Sequence, residues 1–189
     1  MSTLLHTCCG PCLAGSYDQI KTDIAPTDLT LFWENPNIHP YLEYRERLLS
    51  FNKAAQQLEL RVIYGELSYG LDRFIKTIGT ALQAPDRCRI CYEMRLDKTA
   101  ATAARYNIAE FSTTLLISPY QDHELICAVC EQAAEKYGVG FKYIDFRPGF
   151  SKSHELARNL QLYRQKYCGC IFSEFERYQN DKKFKIENS

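Results

Sequence analysis

Short apolar runs of four to seven residues alternate along this chain with longer stretches of helical period, and that alternation constrains the fold more than any other feature. Residues 3–7 (TLLHT) form one such run, which stops at Cys-Cys-Gly-Pro-Cys and reads as a strand entering a turn. Residues 29–33 (LTLFW), 61–64, 111–117 (FSTTLLI) and 141–145 (FKYID) read as further strands. Between them the spacing predicts helices over 13–22, 41–60, 68–82, 89–106, 122–137, 153–163 and 173–181. In the second of these, Leu42, Leu48, Leu49, Ala55 and Leu58 can share one face, and the 122–137 pattern ends at Gly138, a usual residue just past a helix. Strands alternating with helices predict an α/β fold with a mainly parallel sheet covered on both faces. There is no internal repeat, low-complexity segment or linker, so residues 1–189 read as a single domain, with 181–189 a polar tail expected to fray. Ligands of open parallel sheets bind outside the carboxyl ends of the strands. The Cys-Cys-Gly-Pro-Cys segment should lie at that edge, and the segments near Asn35 and Ser118 should face the same way.

Composition narrows the class. With 46% apolar and 24% charged residues the chain is globular rather than disordered or fibrous. Its 23 basic and 23 acidic side chains balance, which excludes a strongly basic nucleic-acid binder while leaving room for a local basic face. No run approaches the ~18 apolar residues of a membrane span, so no membrane partner is expected. The start, MSTLLHTCCGPC, has neither the basic region nor the apolar run of a secretory signal, so the expected location is cytoplasmic. Nine cysteines in 189 residues fall below the density of a disulfide-built secreted scaffold. In a reducing compartment, cysteines at short spacing point to metal binding or catalysis.

The cysteines fall into Cys8-Cys9-x-x-Cys12, Cys88-x-x-Cys91, Cys168-x-Cys170 and a separate Cys127-x-x-Cys130. Thiolates are soft ligands suited to zinc, Cu(I) and iron–sulfur clusters. Adjacent cysteines are an odd half-site for structural zinc, whereas an iron–sulfur cluster needs four thiolates and tolerates irregular spacing. Cys8 and Cys9 with Cys88 and Cys91 supply four, from two loops at one sheet edge. Cys127 and Cys130 lie in an apolar helical pattern (HELICAVCEQAAEKYG) and read as core. Cys168 and Cys170 are too close for ordinary structural zinc; they could form a strained, labile disulfide serving as an electron relay, or one of them could ligate metal. Cys9-Gly10-Pro11-Cys12 also matches the thioredoxin tetrapeptide, but eight preceding residues cannot hold the strand–helix–strand unit that comes before it there.

Other signals are weaker. There is no phosphate-binding Gly-rich loop. His6, His39, His123 and His154 are scattered and read as structural or surface residues, and Trp33, at a strand end, as core. Basic residues gather at Arg87, Arg89, Arg95, Lys98 and Arg105, and again at Lys142, Arg147, Lys152, Arg158, Arg164 and Lys166. Such groups beside a cysteine site could meet a polyanion.

Taken in order, LLHTCCGPC (4–12), ENPNIHPYLEYRER (34–47), RCRICYEMRL (87–96), TTLLISPYQ (113–121) and LYRQKYCGCIFS (162–173) resemble the cobalamin-independent epoxyqueuosine reductases of the QueH type. The resemblance spans nearly the whole chain. It implies a Rossmann-like fold of the adenine-nucleotide α-hydrolase-like (HUP) kind. It also implies reduction of epoxyqueuosine to queuosine at the wobble position of tRNA, the last step of queuosine synthesis. Cys8, Cys9, Cys88 and Cys91 match the residues that bind a [4Fe-4S] cluster, and Cys168 and Cys170 match a redox-active pair. Cys12, with Asp145, is left for a second, mononuclear iron. The implied partners are tRNA carrying epoxyqueuosine and an external electron donor.

Converting an epoxide to an alkene with loss of water consumes two electrons and two protons, and no side chain supplies electrons, so a redox centre is required. Tyr120, His6, Tyr92 and Asp145 are candidate proton donors. Unpaired anticodon bases could stack on aromatic side chains, with phosphates meeting the two basic groups. Two rival readings are a thiol–disulfide oxidoreductase using Cys9 and Cys12, and a non-enzymatic zinc module that binds RNA.

Overall fold

Leu4 and Leu5 are wholly buried in the central strand of a parallel sheet, in a computed structural model that describes residues 1–179. That strand, β1 (Thr3–His6), pairs with β2 (Leu29–Trp33) on one side and β4 (Glu110–Thr113) on the other, with Leu5 opposite both Leu31 and Ser112. Every residue of β1 and β2 is buried, as expected of strands covered on both faces. Trp33 stacks on Phe51 at 5.0 Å, in the core as its strand-end position suggested. The five strands run β3-β2-β1-β4-β5, all parallel, with β3 at Arg61–Tyr64 and β5 at Gly140–Phe141. The fold is α/β with a parallel sheet, as the alternation of the sequence predicted, and Rossmann-like, as the resemblance implied.

The helices are α1 (Gly10–Asp23), α2 (Tyr41–Gln57), α3 (Leu71–Ile78), α4 (Asp86–Arg105), α5 (His123–Tyr137), α6 (Phe150–Asn159) and α7 (Ile171–Tyr178). Three of the expected strands are shorter than the sequence suggested, the first by its last residue, Thr7. The 111–117 run leaves the sheet after Thr113, whose hydroxyl accepts from the Leu115 N–H at 3.2 Å and turns Thr114–Ile117 into a 3-10 helix. Of the 141–145 run only Phe141 pairs with β4, together with the preceding Gly140. The expected start of the first helix also moves: α1 begins at Gly10, inside the cysteine motif. The tail at 181–189, expected to fray, lies outside the described residues.

The order of the sheet fixes where a ligand can sit. From β1 the chain moves outward through β2 and β3, then returns to the other side of β1 with β4. The carboxyl ends of β1 and β4 therefore flank the point where the winding reverses, the crevice such sheets use for binding. Cys8 and Thr114 are the residues that emerge there.

Candidate metal centre

Cys8 leaves β1 with its backbone N–H donating to Thr114 Oγ1 at 3.1 Å, and the Thr114 hydroxyl reaches the Cys8 sulfur at 3.4 Å. Cys9 caps α1, its sulfur accepting the Cys12 N–H at 3.2 Å. Pro11 in the first turn suits a position whose N–H has no helical partner. Gly10 is needed for packing: a Cβ there would lie 2.5 Å from the Ser50 carbonyl oxygen of α2. These local constraints gather the sulfurs of Cys8, Cys9 and Cys12 within 4.8 Å of one another, with Cys9 and Cys12 Sγ 2.6 Å apart.

Hydrogen bonds from the Cys12 and Cys9 thiols, helped by Arg95 and Thr114, hold the Cys8 thiol well below its ordinary pKa. Burial pushes Cys9 up, while the Cys8 and Cys9 sulfurs hold Cys12 up. Of the three, Cys8 is the thiol whose ionisation its surroundings favour. The N-terminus of α1 adds its positive end to the same place.

Cys88 and Cys91 lie in the first two turns of α4 and stand outside that 4.8 Å group. Burial raises both, Cys91 to about 12. Cys91 and Cys170 share a small apolar cluster with Phe74 and Ile78. Cys170 caps α7, its sulfur accepting from the Ser173 N–H at 3.4 Å. Cys168 is exposed, with Gln121 Nε2 3.9 Å from its sulfur. The bond considered for this pair is absent. All nine cysteines are free thiols, and the Cys170 sulfur is committed to its helix cap.

Two buried arginines join these groups. Arg95 of α4 is 2% exposed; one Nη lies 4.0 Å from Cys91 Sγ and the other donates to Asn35 Oδ1 at 2.8 Å. Its charge also acts on Cys8 and Cys168. Asn35 is itself fixed by donating to the Thr7 carbonyl at 2.9 Å. Arg47 of α2, also 2% exposed, bonds the Tyr167 and Cys168 carbonyls and acts on Cys9. Gln165 Nε2 points at the sulfurs of Cys9 (3.0 Å) and Cys12 (3.6 Å).

The donor set fits a soft metal. The three clustered ligand atoms are all sulfur, with no carboxylate or imidazole in the group. Gln165 Oε1, Gln121 Oε1 and Arg95 Nε are buried without a hydrogen-bond partner among the described residues, each on a side chain whose other end faces a cysteine sulfur. Such a polar lining with unused capacity is what a bound inorganic group would satisfy.

Other expected residues fall elsewhere. Asp145 is forked by Arg147 at 2.7 and 2.8 Å and is not brought to the sulfur group. Cys130 is fully buried and Cys127 partly so, both against the main core, as their helical pattern indicated. The first basic group loses two members as a polyanion surface: Arg87 is buried against Glu176 at 2.8 Å, and Arg95 lies inside the site. In the second group, Arg147 is paired with Asp145 and Lys152 with Asp18. Sequence reasoning missed Arg47, Asn35, Gln121 and Gln165 as individual residues. Only the Glu43–Arg47 spacing, one helical turn, signalled a specific pairing.

A family model described as epoxyqueuosine reductase QueH matches residues 3–176. Proteins named epoxyqueuosine reductase QueH are similar to this chain. One from Dehalococcoides mccartyi is 39% identical over 175 residues, covering 93% of each chain. One from Thermotoga maritima is 36% identical over 185 residues, covering 93% of this chain and 92% of its own. One from Streptococcus pyogenes is 30% identical over 181 residues, covering 91% of this chain and 70% of its own.

Proposed function

The chain belongs to the epoxyqueuosine reductase QueH family, and on that premise we propose how its thiol centre serves the reaction. The protein is an oxidoreductase that reduces epoxyqueuosine to queuosine in tRNA. The observation that carries this reading is the gathering of Cys8, Cys9 and Cys12 at the sheet's reversal point in a chain matched by the family over residues 3–176. A tRNA substrate argues for work in the cytoplasm, and no helix of the described residues is long and apolar enough to cross a membrane.

Cys8 and Cys9, with Cys88 and Cys91, would hold a [4Fe-4S] cluster, and Cys12 would remain for a second iron. When bound, such a cluster supplies electrons one at a time. The deoxygenation takes two electrons and two protons, the epoxide oxygen leaving as water. Cys168 and Cys170 would complete the count: oxidation of this dithiol to a disulfide releases two electrons and two protons, and an external donor restores it.

The candidate proton donors separate by environment. His6 is wholly buried, with Nδ1 2.8 Å from Thr113 Oγ1 and Nε2 3.3 Å from the Glu34 carbonyl, and burial lowers its pKa to about 3. It is neutral and engaged. Arg147 holds Asp145 at about 2, so it is ionised at neutral pH and has no proton to give. Burial, with the Cys168, Cys88 and Cys91 thiols nearby, keeps the Tyr92 hydroxyl protonated. Tyr120 is 87% exposed, whereas Tyr92 is buried beside the cysteines with the Arg95 charge nearby, so Tyr92 is the donor we favour.

The test is an anaerobic preparation, with its absorbance spectrum and its iron, sulfide and zinc content. Brown protein with at least four irons per chain is expected, four being the count of the cluster. Iron in excess of sulfide would speak for the second site. Colourless protein with one tightly held zinc would overturn this reading.

A further inference from the structure

Residues 160–170 cross the site without helix or strand of their own and carry Cys168 and Cys170. This strap is held from below. Ser50 donates to the Tyr163 carbonyl at 3.3 Å, Gln165 reaches Cys9 Sγ, and the His39 N–H donates to the Gly169 carbonyl at 2.8 Å. The strongest tie is Arg47. Its Nε is 2.7 Å from Glu43 Oε1, while Nη1 and Nη2 donate to the carbonyls of Cys168 (2.9 Å) and Tyr167 (3.0 Å). The other Glu43 oxygen accepts from the Tyr163 hydroxyl, so the ion pair itself is tied to the strap.

A guanidinium buried to 2% exposure is costly unless its donors are used, and here all three faces of the fork are engaged. A lysine in its place keeps the charge but cannot span two successive carbonyls. The turn is moulded to this fork. Gly169 has φ +146°, and a Cβ on it would lie 3.1 Å from Asn37 Nδ2 and 3.3 Å from Arg47 Nη1. Only glycine readily combines that backbone with that approach.

We propose that Arg47 is a positioning residue: anchored by Glu43, it holds the Tyr167 and Cys168 carbonyls and so fixes the Cys168-Gly169-Cys170 turn beside Cys9. That the placement matters for turnover rests on the role given above to Cys168 and Cys170. The guanidinium bonds the backbone carbonyls of the turn rather than the cysteine sulfurs. It acts by keeping the Cys168 sulfur in register with the centre, and misplacement by about 1 Å is enough to slow a reaction severely.

The test uses iron-loaded holoenzyme, as wild type and as Arg47→Lys and Gly169→Ala, which loosen the same turn from its two sides. Amide hydrogen exchange across 161–171 should quicken by about tenfold in both variants, with iron content unchanged. kcat should fall by about tenfold or more while KM for tRNA stays within about twofold, because binding surface is untouched. Should Arg47→Lys fail to fold, Gly169→Ala carries the test alone. Wild-type exchange across 161–171 overturns the proposal, and so does quickened exchange with wild-type kcat. Full turnover by a Cys168→Ser holoenzyme would instead overturn the reading beneath it, and that result is distinct from either.

Discussion

The Cys8 backbone N–H donates to Thr114 Oγ1 across the point where the winding of the sheet reverses, tying the first cysteine of the centre to the turn that follows β4. One hydroxyl serves both the backbone and the sulfur of Cys8, at 3.1 and 3.4 Å. Replacing Thr114 by Val keeps the shape and leaves the Cys8 N–H buried without a partner, at a cost of about 1–3 kcal/mol. Thermal melting should show that loss, and iron retention through gel filtration should fall, with Thr114→Ser restoring both. Wild-type stability and iron content in Thr114→Val would contradict the assigned role.

Gln165 should tune the centre rather than build it. Its amide N–H points at Cys9 Sγ from 3.0 Å, and a hydrogen bond to a ligating sulfur favours the more reduced, more negative state. Gln165→Leu should therefore bind iron normally but show a more negative reduction potential in an anaerobic redox titration. A potential unchanged or raised would count against this contact.

Acid should destabilise the protein through buried neutral histidines. Burial lowers His39 from 6.5 to about 4 and His6 to about 3. Above pH 6.5 both are neutral whether folded or unfolded, and the stability is whole. As pH falls from 6.5 towards 4 only the unfolded chain takes up these protons, so stability falls by about 1.4 kcal/mol per pH unit for each histidine. Denaturant midpoints at pH 7 and pH 5 test this, and His39→Gln should flatten the slope. A midpoint that holds or rises at pH 5 would contradict it.

The core cysteines separate structure from chemistry. Cys130 is wholly buried in α5 and Cys127 only partly, and neither belongs to the clustered thiols. Cys130→Ser should cost about 1–3 kcal/mol by burying a hydroxyl without a partner. Iron content should not change, and Cys127→Ser should cost less. Iron lost selectively from the Cys130 variant would give that residue a role in the centre.

Binding of tRNA should weaken with salt, because phosphate contacts release counterions. Arg87 and Arg95 are excluded from that surface by burial, which leaves exposed cations such as Arg89, Lys98, Arg158 and Lys166. Affinity measured at two salt concentrations should fall at the higher one; an unchanged value would argue for recognition without the phosphates.

Much of this architecture was legible in the sequence. β2 and β3 have the predicted limits, since apolar runs bounded by polar turns leave little choice of ends. Residues 114–117 misled because a buried 3-10 turn is as apolar as a strand, and only the Thr113 side chain separates the two. The cysteine groups were visible, but which sulfurs meet depends on the turn of α1, not on spacing. Arg47 and Arg95 were the least legible. A cation reads as surface in a sequence, and the carbonyls that bury Arg47 lie 120 and 121 residues further along the chain.

The most direct test of the account is turnover. tRNA carrying epoxyqueuosine is incubated anaerobically with iron-loaded protein and a chemical reductant, and its nucleosides are then weighed by mass spectrometry. The account predicts conversion to queuosine with loss of one oxygen atom, dependent on protein and reductant together and abolished in a Cys8→Ser, Cys9→Ser variant. Unchanged epoxyqueuosine in the presence of fully iron-loaded wild-type protein would contradict it.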